Sequence, residues 1–158
     1  MPAKKVLVAE DDADIRFLIT YSLQYAGYEV IEAINGCEAV DRAQQELPDL
    51  IILDVRMPKG GGLEACVLLK NEASTREIPV IFLSARGQDA EVKRGLALGA
   101  EEYVVKPFAP EELLRRVDSI LQRVERQRGQ QIPVPDRSVP RSNVAGTDTE
   151  RADEWCSS

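Results

Sequence analysis

The sequence predicts an α/β protein: a doubly wound, five-stranded parallel sheet in the order 2-1-3-4-5 with five helices, a flavodoxin-like architecture. Two observations lead to the parallel, doubly wound class. Short β-branched runs alternate with amphipathic helical periods five times between Lys4 and about Val124. The runs are almost continuously apolar rather than alternating, which marks parallel strands covered on both faces. Five such units are too few for an eight-stranded barrel, and no internal repeat is present.

The first strand is "KVLVA", followed by a helix in which Ile15, Leu18, Ile19, Ser22, Leu23 and Ala26 recur at i, i+3, i+4 spacing and lay one face on a core. Gly27 in "AGY" suits the end of that helix. "YEVIEA" is the second strand and Gly36–Glu46 the second helix. "LIILD" and Leu63–Asn71 follow, then "PVIFLS" and Asp89–Leu98, then "EYVVK" and a helix over Pro110–Arg126 carrying Leu113, Leu114, Val117, Ile120, Leu121 and Val124. Past Arg126 the composition changes to "QRGQQIPVPDRSVPRSNVAGTDTERADEWCSS", with three prolines and no period. Residues 1–126 therefore read as one folded domain and 127–158 as a disordered tail or linker. Trp155, the one tryptophan, falls in that tail, either as an anchor for a short motif or as an exposed end.

With 158 residues, 44% of them apolar and 30% charged, the chain has the make-up of one globular domain. Its net charge of -7 argues against direct contact with nucleic acid or an anionic membrane. No apolar run is long enough for a membrane span, and the N-terminus has no signal-peptide core, so a cytoplasmic location is expected. Cys37, Cys66 and Cys156 are widely spaced, lack a CxxC pair and read as reduced thiols. The sequence contains no histidine, which removes imidazole bases, imidazole zinc ligands and any phosphohistidine of its own.

In open parallel sheets, ligands bind beyond the carboxyl ends of the strands where the strand order reverses. At those ends stand Glu10, Asp11 and Asp12 after the first strand, Asp54 after the third, Ser84 after the fourth, and Lys106 with Pro107 after the fifth. An aspartate before a helix is commonly an N-cap, which is the reading for Asp12 or Asp14. Taken alone, Asp54 could be a loop acid, Ser84 a helix start and Lys106 a solvated lysine. Together they occupy one edge from four strands.

Two carboxylates about 4 Å apart repel by roughly 4 kcal/mol at an effective dielectric near 20, so converging acids must protonate, separate or capture a cation. Carboxylate oxygens without histidine or cysteine nearby suit Mg²⁺, which favours one or two carboxylates together with a phosphate oxygen. On this reading the acids hold a metal, the metal holds a phosphoryl group, and Lys106 and Ser84 supply a second positive charge and a hydroxyl. Asp54 then stands between them as the nucleophile of an aspartyl phosphate.

The segments "VLVAEDDADIRFLI", "PDLIILDVRMPKGGGLE", "IPVIFLSA" and "GAEEYVVKPF" resemble, in order, the signature segments of response-regulator receiver domains, the CheY-like modules of two-component phosphorelay signal transduction. Asp54 to Ser84 spans 30 positions and Ser84 to Lys106 spans 22, both typical of that family. The resemblance implies that Asp11 ligates Mg²⁺ directly, that Glu10 acts through water, and that Asp54 is the phosphoacceptor. It further implies the backbone carbonyl of Arg56 as a metal ligand, Ser84 as the switch hydroxyl, Lys106 as the phosphate contact before a cis Lys106–Pro107 bond, and Tyr103 as the switch aromatic. "MPKGGGLE" departs from the pattern, with Gly61 where many relatives carry an acid, and three consecutive glycines raise flexibility. Arg56 and Arg86, each two positions past a site residue, are expected to modulate the lifetime of the phosphorylated state or to point into solvent.

The resemblance also implies a sensor histidine kinase or phosphotransfer protein as phosphoryl donor, and an output surface on the fourth helix, fifth strand and fifth helix. A downstream protein partner and a phosphorylation-dependent homodimer belong to the same expectation. The chain is then no enzyme beyond its own phosphorylation and dephosphorylation. The roughly 32 residues after Arg126 are too few for a winged-helix output domain, which favours a stand-alone receiver over a fragment of a longer regulator. A phosphorylation-independent binding module is the alternative. A flavin binder would need a Ser/Thr/Gly-rich loop where this chain has acids. A haloacid-dehalogenase-type phosphatase would need D-x-D, and Asp54 is followed two positions later by Arg56.

Overall fold

The computed structural model describes residues 3–85 and 89–130, with side chains described to residue 127. Five strands and five helices alternate: β1 Lys5–Ala9, α1 Ala13–Tyr25, β2 Glu29–Ala33, α2 Gly36–Glu46, β3 Leu50–Asp54, α3 Gly62–Asn71, β4 Val80–Ser84, α4 Asp89–Ala97, β5 Glu102–Val105 and α5 Pro110–Gln130. The sheet is parallel throughout and ordered β2-β1-β3-β4-β5, as the sequence predicts. β1 lies between β2 and β3, with Val8 paired to both Glu32 and Ile52.

Side chains alternate between two cores. Val6, Val8, Leu50, Ile52, Ile81 and Leu83 face α1 and α5, where they meet Ile19, Leu23, Leu113, Val117 and Ile120. Leu7, Ile51, Leu53, Val80 and Phe82 face the other way, toward Ala39, Val40 and Ala43 of α2 and Ala65, Cys66 and Leu69 of α3. Because both faces are covered, β1, β3 and β4 need apolar residues all along their centres, the physical reason for the runs "VLVA", "LIIL" and "VIFL".

The helix ends follow local chemistry. Asp12 caps α1, its carboxylate accepting from the N–H groups of Asp14 at 2.9 Å and Ile15 at 3.1 Å. Gly27 takes a left-handed φ of 99° just beyond α1, where the N–H of Tyr28 donates to the carbonyl of Leu23. Asn35 caps α2 through the N–H of Glu38 at 2.7 Å. α4 lies tight against the sheet at Gly95, where a Cβ would stand 2.2 Å from the ring of Phe82.

Several expectations are corrected. Ile19 and Leu23 of α1 are core, but Leu18 is exposed, and so is a ladder of Phe17, Tyr21 and Tyr25 whose rings stack at 6.2 and 6.5 Å. Apolar spacing marks the packed stripe without saying where its edge meets solvent. α5 continues to Gln130, past the expected boundary at Arg126, since Arg and Gln favour the helix. Cys66 is a free, buried thiol, whereas Cys37 is disulfide-bonded, against the expectation of three reduced thiols. Spacing along the chain does not say which sulfurs the fold brings within reach. Residues 131–158 of the expected tail, Trp155 among them, and Arg86 lie outside the described residues. None of the helices, among the described residues, is long and apolar enough to cross a membrane.

Candidate functional site

Four strand ends converge at one edge of the sheet. β1 is fully buried from Val6 through Ala9, and the next residue, Glu10, is also fully buried, with its N–H donating to the Ala33 carbonyl at 3.1 Å. The apolar register thus carries an acid into the protein rather than leaving it on the surface. Asp11 follows, exposed, and Asp12 turns away to cap α1. β3 ends in Asp54, only 6% exposed. Its neighbour β4 ends in buried Ser84, with Asp54 paired to Leu83 in the register.

The carboxylate oxygens of Glu10, Asp11 and Asp54 lie within 4.8 Å of one another. Lys106 reaches in from the end of β5, its N–H anchored to the Ser84 carbonyl at 2.7 Å and its bond to Pro107 cis. Its Nζ stands 2.7 Å from Glu10 Oε1 and donates to Asp54 Oδ2 at 3.0 Å. Lys106 therefore answers two of three acids and leaves the group net negative. Glu10 Oε1 is buried and takes no aligned hydrogen bond, so only the lysine charge compensates it. A hard cation fits that deficit and that set of oxygen donors.

Titration follows this crowding. Burial, then the hydrogen bond and charge of Asp54, push the Glu10 carboxyl above its ordinary value, although Lys106 pulls the other way. Burial and then Glu10 push Asp11 up as well. Lys106 is opposed by burial, yet the adjacent carboxylates of Glu10 and Asp54 hold its ammonium above the usual lysine value.

The loop after Asp54 is held tightly. The carbonyls of Lys59 and Gly60 accept from the N–H groups of Cys37 at 3.3 Å and Gly36 at 3.0 Å, and Gly62 donates to the Val55 carbonyl at 2.9 Å. Gly61 donates to Glu64 Oε1 at 3.3 Å. A Cβ on Gly61 would lie 2.7 Å from the Val55 carbonyl, and one on Gly62 would lie 2.3 Å from that of Asp54. Gly61 and Gly62 thus serve close approach of α3 to β3.

The fold brings Glu10, Asp11, Asp54 and Lys106 together and sets Ser84 on the adjoining strand end. Tyr103 is 39% exposed on β5, with its backbone carbonyl accepting from Arg116. The Arg56 side chain is engaged by Glu91 of α4, its Nη2 donating to Oε1 at 2.6 Å. Two participants were not anticipated from sequence. Glu91 was one, and Arg16 was the other: it donates to the Glu10 carbonyl at 2.8 Å and to Glu32 at 3.1 Å. Neither has a sequence signal beyond being a charge on a helix. An apolar recess lined by Ile15, Leu18, Pro107, Phe108 and the Lys106 stem adjoins the acids.

The family model for the response regulator receiver domain matches residues 6–118. Over 122 residues, 77% of this chain, the sequence is 43% identical to the phosphate regulon transcriptional regulatory protein PhoB of Klebsiella pneumoniae. It is equally identical, over the same length, to the alkaline phosphatase synthesis transcriptional regulatory protein PhoP of Bacillus subtilis. Those stretches cover 53% and 50% of the two regulators, so the chain spans about half the length of the curated relatives it matches. Among solved structures, the chemotaxis response regulator CheY4 of Vibrio cholerae superposes with a TM-score of 0.71 at 35% identity, covering 75% of this chain and 99% of that one.

Proposed function

Since the chain belongs to the response regulator receiver family of two-component signalling, we propose that Asp54 accepts a phosphoryl group in a Mg²⁺-dependent reaction and that the modification switches a protein-binding surface. The observation that carries this reading is the position of Lys106 Nζ between Glu10 and Asp54, beside three carboxylates that together outweigh it.

Glu10, Asp11 and Asp54, with the Arg56 carbonyl, would hold the metal, which when bound neutralises charge on the transferring phosphoryl group. An Asp54 oxygen forms the new bond to phosphorus as the phosphorus–nitrogen bond of a phosphohistidine breaks. The electron pair leaves with the donor imidazole. The donor is a histidine kinase or phosphotransfer protein, since this sequence has no histidine. Lys106 then exchanges one of its two carboxylate contacts for a phosphoryl oxygen. The Ser84 hydroxyl donates to another and draws the β4 end inward. Hydrolysis of the acyl phosphate resets the site, so the chain turns over only its own phosphoryl group.

Phosphorylation adds about two negative charges beside α4. The exposed apolar residues Leu96 on α4, Leu98 just past its end, and Tyr103 and Val105 on β5 support that face as the one whose partner binding responds, with Tyr103 moving inward behind Ser84. The curated relatives are named transcriptional regulators, and the matched stretch is only about half of each. That difference favours a second reading of the output, in which this domain controls a separate DNA-binding domain rather than contacting nucleic acid itself.

The test is intact mass after incubation with Mg²⁺ and acetyl phosphate, beside Asp54→Ala. A phosphoryl adduct on the parent that is lost in the variant and in EDTA is expected. No adduct on a folded parent, from acetyl phosphate or from a histidine-kinase donor, would leave a phosphorylation-independent binding module.

A further inference from the structure

Arg16 sits one turn into α1, with its side chain only 18% exposed, and it bridges two strands. One arm of the guanidinium donates to the Glu10 backbone carbonyl at 2.8 Å; Nε donates to Glu32 Oε1 on β2 at 3.1 Å. That carbonyl belongs to the peptide joining Glu10 to Asp11. The peptide before it is fixed too, through the Glu10 N–H to the Ala33 carbonyl. Both peptide planes flanking Glu10 are thereby held against β2, and these planes set the direction in which the Glu10 and Asp11 side chains leave the backbone.

We propose that Arg16 is a positioning residue for the cation site: held by Glu32, its planar fork fixes the Glu10–Asp11 peptide and so aims both carboxylates at the position between them and Asp54. The proposal rests on the reading of these acids as a cation site. It runs against simple electrostatics. A guanidinium near three carboxylates repels a divalent cation, so charge alone makes Arg16 a hindrance. Groups that orient metal ligands are worth about 10- to 100-fold in affinity, which exceeds the repulsion of a side chain that is itself paired with Glu32.

The opposing signs decide the matter. Mg²⁺ binding to the full chain is measured by titration calorimetry for the parent, Arg16→Lys and Arg16→Ala, with circular-dichroism melts confirming that each is folded. The expected result is about tenfold weaker Mg²⁺ binding in both variants. Acetyl-phosphate labelling should be slow at low Mg²⁺ and recover at saturating Mg²⁺. Arg16→Lys keeps the charge and loses the fork, so an unchanged Kd in that variant overturns the proposal. Tighter binding in Arg16→Ala overturns it as well, since only the charge would then matter. Should Arg16→Ala fail to fold, the lysine variant decides alone. A parent that neither binds Mg²⁺ nor labels on Asp54 would instead remove the cation-site reading itself, and this inference with it.

Discussion

Arg56, on the loop after the phosphoacceptor candidate, grips Glu91 in the first turn of α4, with Nη2 2.6 Å from one carboxylate oxygen and Nε 3.4 Å from the other. Through the hydrogen bond from Arg56, Glu91 is held below the usual carboxylate range. The pair spans 35 positions of sequence and ties the Asp54 loop to the helix that follows Ser84. In this arrangement the cation at position 56 is committed to α4 rather than to a phosphoryl group.

Glu91→Gln should therefore release Arg56 toward Asp54 and lengthen the lifetime of the phosphorylated form severalfold. Arg56→Ala alone should change it little, and the double variant should match Arg56→Ala. Timing phosphate loss by intact mass distinguishes these outcomes. Identical lifetimes in the parent and Glu91→Gln would mean that the pair has no bearing on the site. Because the pair is exposed, its influence should fade in high salt.

The crowded acids make a stability prediction. Mg²⁺ that binds only the folded chain should raise the melting temperature of the parent in proportion to the logarithm of its concentration above Kd. Asp11→Asn removes one of three opposing charges, so its metal-free melting temperature should exceed that of the parent in EDTA. Added Mg²⁺ should then do almost nothing. Melts with and without the metal check both halves.

The pH dependence of the metal-free chain has the opposite sign to that of a salt-bridged acid. Glu10 and Asp11 titrate above their ordinary values, so the folded chain keeps protons that the unfolded chain has released. Their contribution to stability rises as pH falls from neutral through the raised folded values toward the ordinary carboxylate range. Lys106, raised by Glu10 and Asp54, contributes fully below the ordinary lysine value and fades as pH climbs past its own. Melts in EDTA between about pH 7 and pH 5 should show a smaller gain on acidification for Glu10→Gln than for the parent. Parallel curves for the two would show that Glu10 is not the group responsible.

Gly62 admits no side chain. A methyl there meets the Asp54 carbonyl at 2.3 Å, and because that oxygen is backbone, either α3 or the end of β3 must move. Gly62→Ala should cost about 1–3 kcal/mol in denaturant melts and slow labelling of Asp54 as well. A stability close to that of the parent would mean that the loop has room the structure does not display.

The parallel order was readable from sequence because β1, β3 and β4 are buried on both faces, and burial of that kind leaves unbroken runs such as "LIIL". Strand order then brought Glu10, Asp54, Ser84 and Lys106 to one edge, since each stands at a strand end. What stayed hidden depends on side chains that cross between elements. Arg56 finds Glu91 and Arg16 finds the Glu10 carbonyl and Glu32 only after the helices are seated. The α1 face itself was legible, since Ile15, Ile19 and Leu23 pack in the core, but the exposure of Leu18 beside the Phe17, Tyr21 and Tyr25 ladder was not, because periodicity does not fix the edge of a buried stripe.

The contact between Gly95 and Phe82 bears on how α4 could respond to events at Ser84. Helices usually lock to what lies beneath them by setting side-chain ridges into grooves, and a locked helix moves only by jumping a notch. At position 95 there is no ridge, only bare backbone against a flat ring. The helix backbone therefore stands as close to Phe82 as the ring allows, and any side chain at position 95 would push α4 off the sheet. A missing methyl group at position 95 thus sets how near the fourth helix can lie to the strand that ends in Ser84.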